Sequence, residues 1–423
     1  MLPPVLDLKD CELQLWQGGS LTLQSPGYAL LKEHQYSFGD SARSAARLHP
    51  REVNTRYWWQ LGTSPLKPAL GTARHTADLA HAHLLDIHLQ GGQPDKLVLA
   101  APGTMGRNQL ALLLGIIEQC PFEAVGLVNR STAVASVQAC RGPLLHLELQ
   151  LHQAALTRLV VDAGTVSVDQ VLPLPGCGLL HLQERLVEVI ASAFIRQTRF
   201  DPRRSAATEQ ALYEALPGTL AKLKLANETN VELNGYRARI VAQQLSETGR
   251  RLLDSVEQVV NDSDEMVLVD PIFDLLPNII PSIPRAKLLD DRALIDALQQ
   301  QYSNGEHNIV QQQQQLHFIQ NLPTLAGDDP PAASASHQRV NTDNVAPKAQ
   351  PTHLLCASIA RPLDTTINGS GWTLAVDAAG WKISGAVPPQ VNGQIYTEGN
   401  YLAVGDQILM GNGDIAVLIE VQS

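Results

Sequence analysis

The stretch "VVDAGTVSVD", Val160 to Asp169, holds the residue types that phosphate binding uses. An apolar pair runs into Asp162. Gly164, small hydroxylated residues including Ser167, and a second carboxylate, Asp169, follow. A hairpin of this form can hold nucleotide phosphates, because glycine lets backbone N–H groups approach phosphate oxygens closely. Such a loop usually carries two or three glycines and this one has one, so it reads as the remnant of a phosphate loop. Elsewhere the chemistry is thinner. His75, His81, His83 and His88 lie in "ARHTADLAHAHLLDIHLQ", but a helical metal site wants i, i+4 pairs with a carboxylate, so surface or capping histidines are expected. Ser131 and Thr132 have no assignable base, and a helix N-cap is the expected role.

These residues need a scaffold, and the chain is long enough for two or three domains at 423 residues. It is 44% hydrophobic but only 4% aromatic, so the core must be built from Leu, Val, Ile and Ala. A formal net charge of −11 argues against nucleic acid or an anionic membrane as partner. Five scattered cysteines form no Cys-x-x-Cys pair, which implies free thiols in a reducing compartment. The start "MLPPVLDLKDCELQLW" does not read as a signal peptide, and no apolar window reaches membrane-spanning length, so a cytoplasmic protein without a membrane span is expected.

Hydrophobic periodicity supplies the elements. "PVLDLKDCELQLWQGG" and "SLTLQSPGYALL" read as strands joined by a Gly18-Gly19 turn. "DKLVLAAPG" is a buried strand and "GRNQLALLLGIIEQC" a helix. "LLHLELQLHQAALTRLVVDAG" and "TVSVDQVLPLPG" form a strand pair. Leu182, Leu186, Val189, Ile190 and Ala193 keep helical spacing, and "ALYEALPGTLAKLKLANET" reads as a helix interrupted at Pro217-Gly218. The alternation predicts an α/β domain over 1–324. "VQQQQQLHF" reads as a solvated helix end. The Pro-, Ala-, Ser- and Asn-rich stretch 325–350 reads as a flexible linker, and the turn-glycine-rich 351–423 as a small all-β module.

In their serial order, six blocks of the first 320 or so residues resemble the nucleotide-binding domain of the heat-shock-seventy (DnaK-like) chaperones, an actin-fold ATPase. They are "VLDL" with its strand pair, "SPGYALL…FGDSARSAARLHPREVNTRYWWQLG", "KLVLAAPGTMGRNQLALLLGIIEQCPFEAVGLVNRSTAVAS", "LVVDAGTVSVDQVL…GCGLLHLQERLVE", "LAKLKLANET" and "MVLVDPIFDLLP". The resemblance implies a two-lobed actin-like fold, a repeated ribonuclease-H-like unit, around a nucleotide cleft. It places Asp7 in the first phosphate loop, Asp162, Gly164 and Ser167 in the second, and Lys222 on the adenosine helix. The departures weigh against catalysis. The family's Asp-Leu-Gly-Thr-Thr loop is Asp7-Leu8-Lys9-Asp10-Cys11, where Lys9 blocks close backbone approach and Asp10 repels phosphate. The Glu of the family's Asn-Glu-Pro-Thr turn is Arg130. Its last Gly-Gly is Asp270-Pro271. Lys67 lies in "GTSPLKPALG", which does not align with the family's catalytic-lysine region.

Phosphoryl transfer leaves a protein little beyond positioning and charge stabilisation, and those features are altered. The expectation is a non-catalytic, chaperone-like protein acting in protein interaction or scaffolding, with no cofactor, ATP and magnesium included. The alternatives are a divergent ATP-dependent chaperone and an actin-like scaffold of a pilus, secretion or division apparatus. Without nucleotide, apolar side chains are expected to narrow the cleft, namely Val166, Leu223, Ile272 and Phe273, with Asp7 and Asp162 near its floor. In the tail, "VNG…L…GDQILMG" resembles the last strands of forkhead-associated sandwiches. That family's phosphothreonine-reading Arg and Ser-x-x-His have no evident match, and a small β-barrel stays equally open. Trp372, Trp381 and Tyr401 concentrate aromatics there.

Overall fold

The computed structural model describes residues 2–138, 143–260, 265–304, 309–311, 316–325 and, between 351 and 419, chiefly the strands. Part of the Gln run, residues 326–350 of the expected linker, Cys140 and the Cys356 side chain lie outside the described residues. The chain divides into two compact units, Met1–Pro330 and Pro331–Ser423.

The first unit opens with strands β1 (Val5–Asp7), β2 (Leu13–Gln17) and β3 (Ser20–Ser25). An insertion follows: β4 (Ala29–Lys32), β5 (Gln35–Phe38), the helical turn α1 (Gly39–Arg43), β6 (Val53–Asn54), β7 (Pro65–Leu70) and β8 (Ala73–His75). Helix α2 (Thr76–Gln90), β9 (Lys96–Ala101), α3 (Arg107–Ile117), β10 (Glu123–Asn129) and α4 (Arg130–Ser136) complete the first half. The second half repeats the plan with β11 (Leu144–Leu149), β12 (Gln153–Asp162), β13 (Thr165–Pro175), α5 (Leu179–Thr198) and α6 (Ala206–Leu225). A hairpin β14 (Glu228–Leu233) and β15 (Tyr236–Val241), α7 (Ala242–Leu245), α8 (Arg250–Val260), β16 (Met266–Val269), α9 (Ile279–Ser282), β17 (Ala286–Leu288) and α10 (Ala293–Asn304) follow. β18 (Phe318–Ile319) and β19 (Asn321–Pro323) then add to β10 and β13.

The two sheets share one topology. Their orders are β3-β2-β1-β9-β10 and β13-β12-β11-β16-β17. In each, the first three strands form an antiparallel meander and the last two join in parallel. The registers superimpose as well: Asp7 faces Gln14 across the first turn as Glu148 faces Ala155 across the second.

Side-chain alternation along the strands sorts residues into three layers. On β1 and β9, Leu6, Leu97, Leu99 and Ala101 enter a core with α2 and α3. On β11, Leu145, Leu147 and Leu149 enter a core with α5, α6 and α8. The opposite faces bury Val5, Val98, Leu144, Leu159 and Leu268 with α4 and α10. The polar residues Asp7, His146 and Glu148 take the remaining alternate positions of β1 and β11, so the period-2 pattern points them into this middle layer.

Two sequence expectations change here. α6 runs unbroken through Pro217, because tertiary packing of Leu212, Leu216, Leu220 and Leu223 offsets the missing N–H. The Val160–Asp169 stretch is the outer end of the β12–β13 hairpin, not a loop at the cleft floor. Ala163 and Gly164 form its turn with φ of 46° and 76°. A two-residue turn with both central φ values positive favours glycine by itself, which explains Gly164 without phosphate. The second unit is all strand wherever its described residues are regular, with Trp372–Asp377 pairing antiparallel to Gly380–Gly385 and Trp372 in its core. Asp162 is exposed at the hairpin tip, so Asp162→Ala should change unfolding free energy by about 0.5 kcal/mol or less in urea titrations. A loss several times larger would place it in a buried network.

Candidate functional site

The middle layer closes over a buried ionic network. Asn129 caps α4 by accepting the Thr132 N–H at 3.0 Å, so the helix begins at Arg130 and aims its guanidinium between the sheets. Arg130 Nε donates to both carboxylate oxygens of Asp7, at 3.1 and 3.0 Å, and Nη1 donates to both oxygens of Asp270 at 3.0 Å. Asp7 ends β1 of the first sheet and Asp270 follows β16 of the second. One side chain therefore ties the two sheets. Glu148 approaches Nη1 at 3.6 Å. Lys9 Nζ lies 3.4 Å from Asp270 and 3.6 Å from Glu12.

The electrostatics follow from burial. Arg130, Asp7, Lys9, Glu148 and Asp270 are all 5% exposed or less. Burial works against the Asp270 charge, yet Arg130 and Lys9 hold its carboxyl well below the usual range. Burial likewise opposes the Lys9 ammonium most strongly, and Asp270, Cys11 and Glu12 together overcome it, raising Lys9. Glu148 is pushed upward by burial, with Arg130 acting the other way. Breaking such a pair by deleting one partner strands a buried charge, which costs about 3–5 kcal/mol.

The two tight turns also touch. Asp10 Oδ1 accepts the Leu151 N–H at 2.8 Å and the Cys11 thiol donates to the Leu149 carbonyl at 2.9 Å. The chain behind each turn closes it in the same manner: Gly27 N–H donates to the Asp10 carbonyl and Leu180 N–H to the Leu151 carbonyl. A Cβ on Gly178 would stand 2.3 Å from the His152 carbonyl carbon, so glycine here permits backbone packing behind the second turn.

Among the five residues expected at a nucleotide cleft, only Asp7 reaches this network. Asp162 and Gly164 sit at the far end of the ten-residue strand β12, roughly 30 Å from the Gln150–His152 turn at the usual strand rise. Ser167 lies within β13, in register with Val160 and Asn321. Lys222 is exposed on α6. The turn between β11 and β12 is instead the counterpart of the first loop, with Glu148 opposite Asp7. Of the apolar residues expected to narrow the cleft, Leu223 and Phe273 pack in the outer core of the second sheet and Val166 in the middle layer, whereas Ile272 lines a pocket with Asp7, Arg130 and Asp270 and packs against the cluster of Cys11 and Leu151. Closure at the base is ionic because the alternating positions there carry Asp7, His146 and Glu148.

A second tie spans the insertion and α6. Gln210 accepts the Arg47 N–H at 2.9 Å and donates to the Arg43 carbonyl at 3.2 Å, while the Arg47 guanidinium lies 3.9 Å from the Tyr213 ring centroid.

Sequence reasoning also missed His146. Its Nδ1 is 2.8 Å from Ser131 Oγ and its Nε2 3.2 Å from Asp270 Oδ1. The order Ser–His–Asp matches a nucleophilic triad, although the ring is reversed, with Nδ1 rather than Nε2 facing the serine. All three side chains are 0% exposed, however, and Asp270 is already shared with Arg130 and Lys9, so no substrate reaches Ser131. Ser131 is thus a network member, and the N-cap is Asn129. His83 is likewise no surface residue. It is buried against Phe38, with Ser25 Oγ at 2.8 Å and Tyr57 Oη at 2.7 Å, and burial lowers its pKa to about 3. Among the described residues no group of three His, Cys, Asp or Glu could hold a metal, and no helix is long and apolar enough to cross a membrane.

No family model matches the chain, and no curated protein matches it.

Asp10 supplies a pH test. Burial raises its carboxyl from an ordinary 3.8 to about 7, the Leu151 N–H opposing the shift and Glu148 adding to it. The folded chain thus keeps a proton that the unfolded chain has released between those values. Stability falls as pH rises through that window, and the whole penalty is present above about 7. Asp10→Asn keeps an acceptor for Leu151. It should add about 1–3 kcal/mol to the unfolding free energy at pH 8, shrinking towards pH 5. Urea titrations across that range check this, and a pH-independent effect would contradict it.

Proposed function

We propose that the first unit is a degenerate actin-fold domain, similar to the ATPase domain of heat-shock-seventy chaperones, that works as a protein-interaction or scaffold component and turns over no nucleotide. The observation that carries this reading is the Arg130 guanidinium bound between Asp7 and Asp270. On the resemblance, Asp7 opens the first phosphate loop and Arg130 replaces the glutamate that helps position metal and water. A cation fixed to the protein takes up the carboxylate that a magnesium nucleotide would use. The repeated sheet topology supports the fold half of the proposal. The contact between the two turns supports the functional half, since Asp10 and Leu151 meet where phosphate would lie.

In such a domain the two lobes close without ligand, and the surface they present is constant. That suits a binding platform better than a nucleotide-driven cycle. The second unit, built of antiparallel strands, is the natural place for additional partner contacts. Calorimetric titration with magnesium-ATP tests the reading: no affinity tighter than millimolar is expected, and no phosphate release. Micromolar binding with turnover would overturn it.

A further inference from the structure

A cavity of about 380 Å³ opens beside the two turns, and Arg130 is not among the residues lining it. Its size falls in the range of small-ligand sites. Trp58, Trp59 and Met105 supply apolar wall, and Asp10, Thr104, Gln150 and Gln153 supply the polar part. No lysine or arginine is among the residues lining it. His152, which stacks on Trp59 at 5.1 Å between centroids, is held neutral by burial.

The polar groups are not spent evenly. Gln153 Nε2 donates to Gln150 Oε1 at 2.9 Å, and Gln150 Nε2 donates to Thr104 Oγ1 and Glu148 Oε1, each at 2.7 Å. These bonds use amide hydrogens within the wall, and both hydrogens of the Gln150 amide are taken. Asp10 is 4% exposed; its Oδ1 is taken by Leu151, and its Oδ2 is buried with no hydrogen-bond partner. A buried carboxylate oxygen without a donor is costly, and native structures rarely leave one so. Trp58 spends its indole N–H on His83 at 3.1 Å, which leaves ring carbon for the cavity.

We propose that this cavity binds a small organic cation of the alkylguanidinium or alkylammonium class, its N–H groups donating to Asp10 Oδ2 and its charge resting against the tryptophan rings. Acceptor and aromatic carbon together select for such a group, because a cation gains from both a carboxylate and an indole face. An anion meets the Asp10 carboxylate at pH 8 and is excluded. A neutral amide satisfies the hydrogen bond but not the charge. The inference stands on the cavity's own side chains, whether or not nucleotide binds.

Ligand-observed NMR on the full chain at pH 8 tests it with propylguanidinium, propionamide and propionate. Propylguanidinium should bind at least tenfold more tightly than propionamide, and propionate should not bind. Asp10→Asn, which preserves the turn's hydrogen bond, should weaken propylguanidinium at least tenfold, and Trp59→Ala should weaken it measurably. Equal binding of cation and amide, no binding of the cation, or an unchanged affinity in Asp10→Asn would overturn the proposal. An acetyl-Gly-Arg-Gly-amide arm identifies the source. Tighter binding of the free cation points to a small molecule, tighter binding of the peptide to a partner's side chain, and both satisfy the proposal.

Discussion

The shared guanidinium of Arg130 is the contact on which the first unit depends. Two sheets of like topology face each other across a layer that must place acidic side chains at alternating strand positions. Apolar packing cannot close that layer at Asp7, Glu148 and Asp270. A planar, permanently charged group with several donors can, because one of its nitrogens reaches both oxygens of Asp7 and another both oxygens of Asp270 from a single position. The site of the cation is fixed by the start of α4, which Asn129 caps at the end of β10. Helix capping, strand alternation and sheet duplication thus converge on one side chain.

The network is more specific than it is economical. Arg130 and Lys9 pair with Asp7 and Asp270, and the further buried acids, Glu148 and Asp10, are both pushed towards their neutral forms. Replacing such an ion cluster with apolar groups often leaves stability unchanged or improves it. What the cluster does supply is a geometry: it sets the separation of the two sheets without a ligand. Gln210 and Arg47 tie the insertion to α6 through amide, ion-pair and cation–π contacts.

Much of the frame was legible in the chain. The alternating runs around Gly18-Gly19 and around Ala163-Gly164 announced antiparallel hairpins, and both formed. The network was not legible, because Arg130 meets partners 123 and 140 positions away, beyond any local pattern. Asp162 misled because an acid followed by a glycine is the signature both of a phosphate loop and of a two-residue turn. An internal signal distinguishes them. "VLDLKDCELQL" and "LHLELQLHQAAL" share an acid that leads into a tight turn and a returning strand. Pairing those segments would have set Glu148 opposite Asp7 and left Asp162 at the outer turn. Pro217 misled for a different reason: a local breaker was overridden by the apolar stripe on either side of it.

A double-mutant cycle between Arg130 and Asp270 tests the central claim most directly. Arg130→Met, Asp270→Asn and the double variant would be unfolded in urea, and the coupling free energy taken from the four stabilities. Each single variant strands a partner in the middle layer, whereas the double variant strands less. The account predicts a coupling of about 1.5–3 kcal/mol, with the double variant far less destabilised than the sum of the singles. Additive effects would mean that the two side chains act independently, and that something other than the shared guanidinium holds the sheets together.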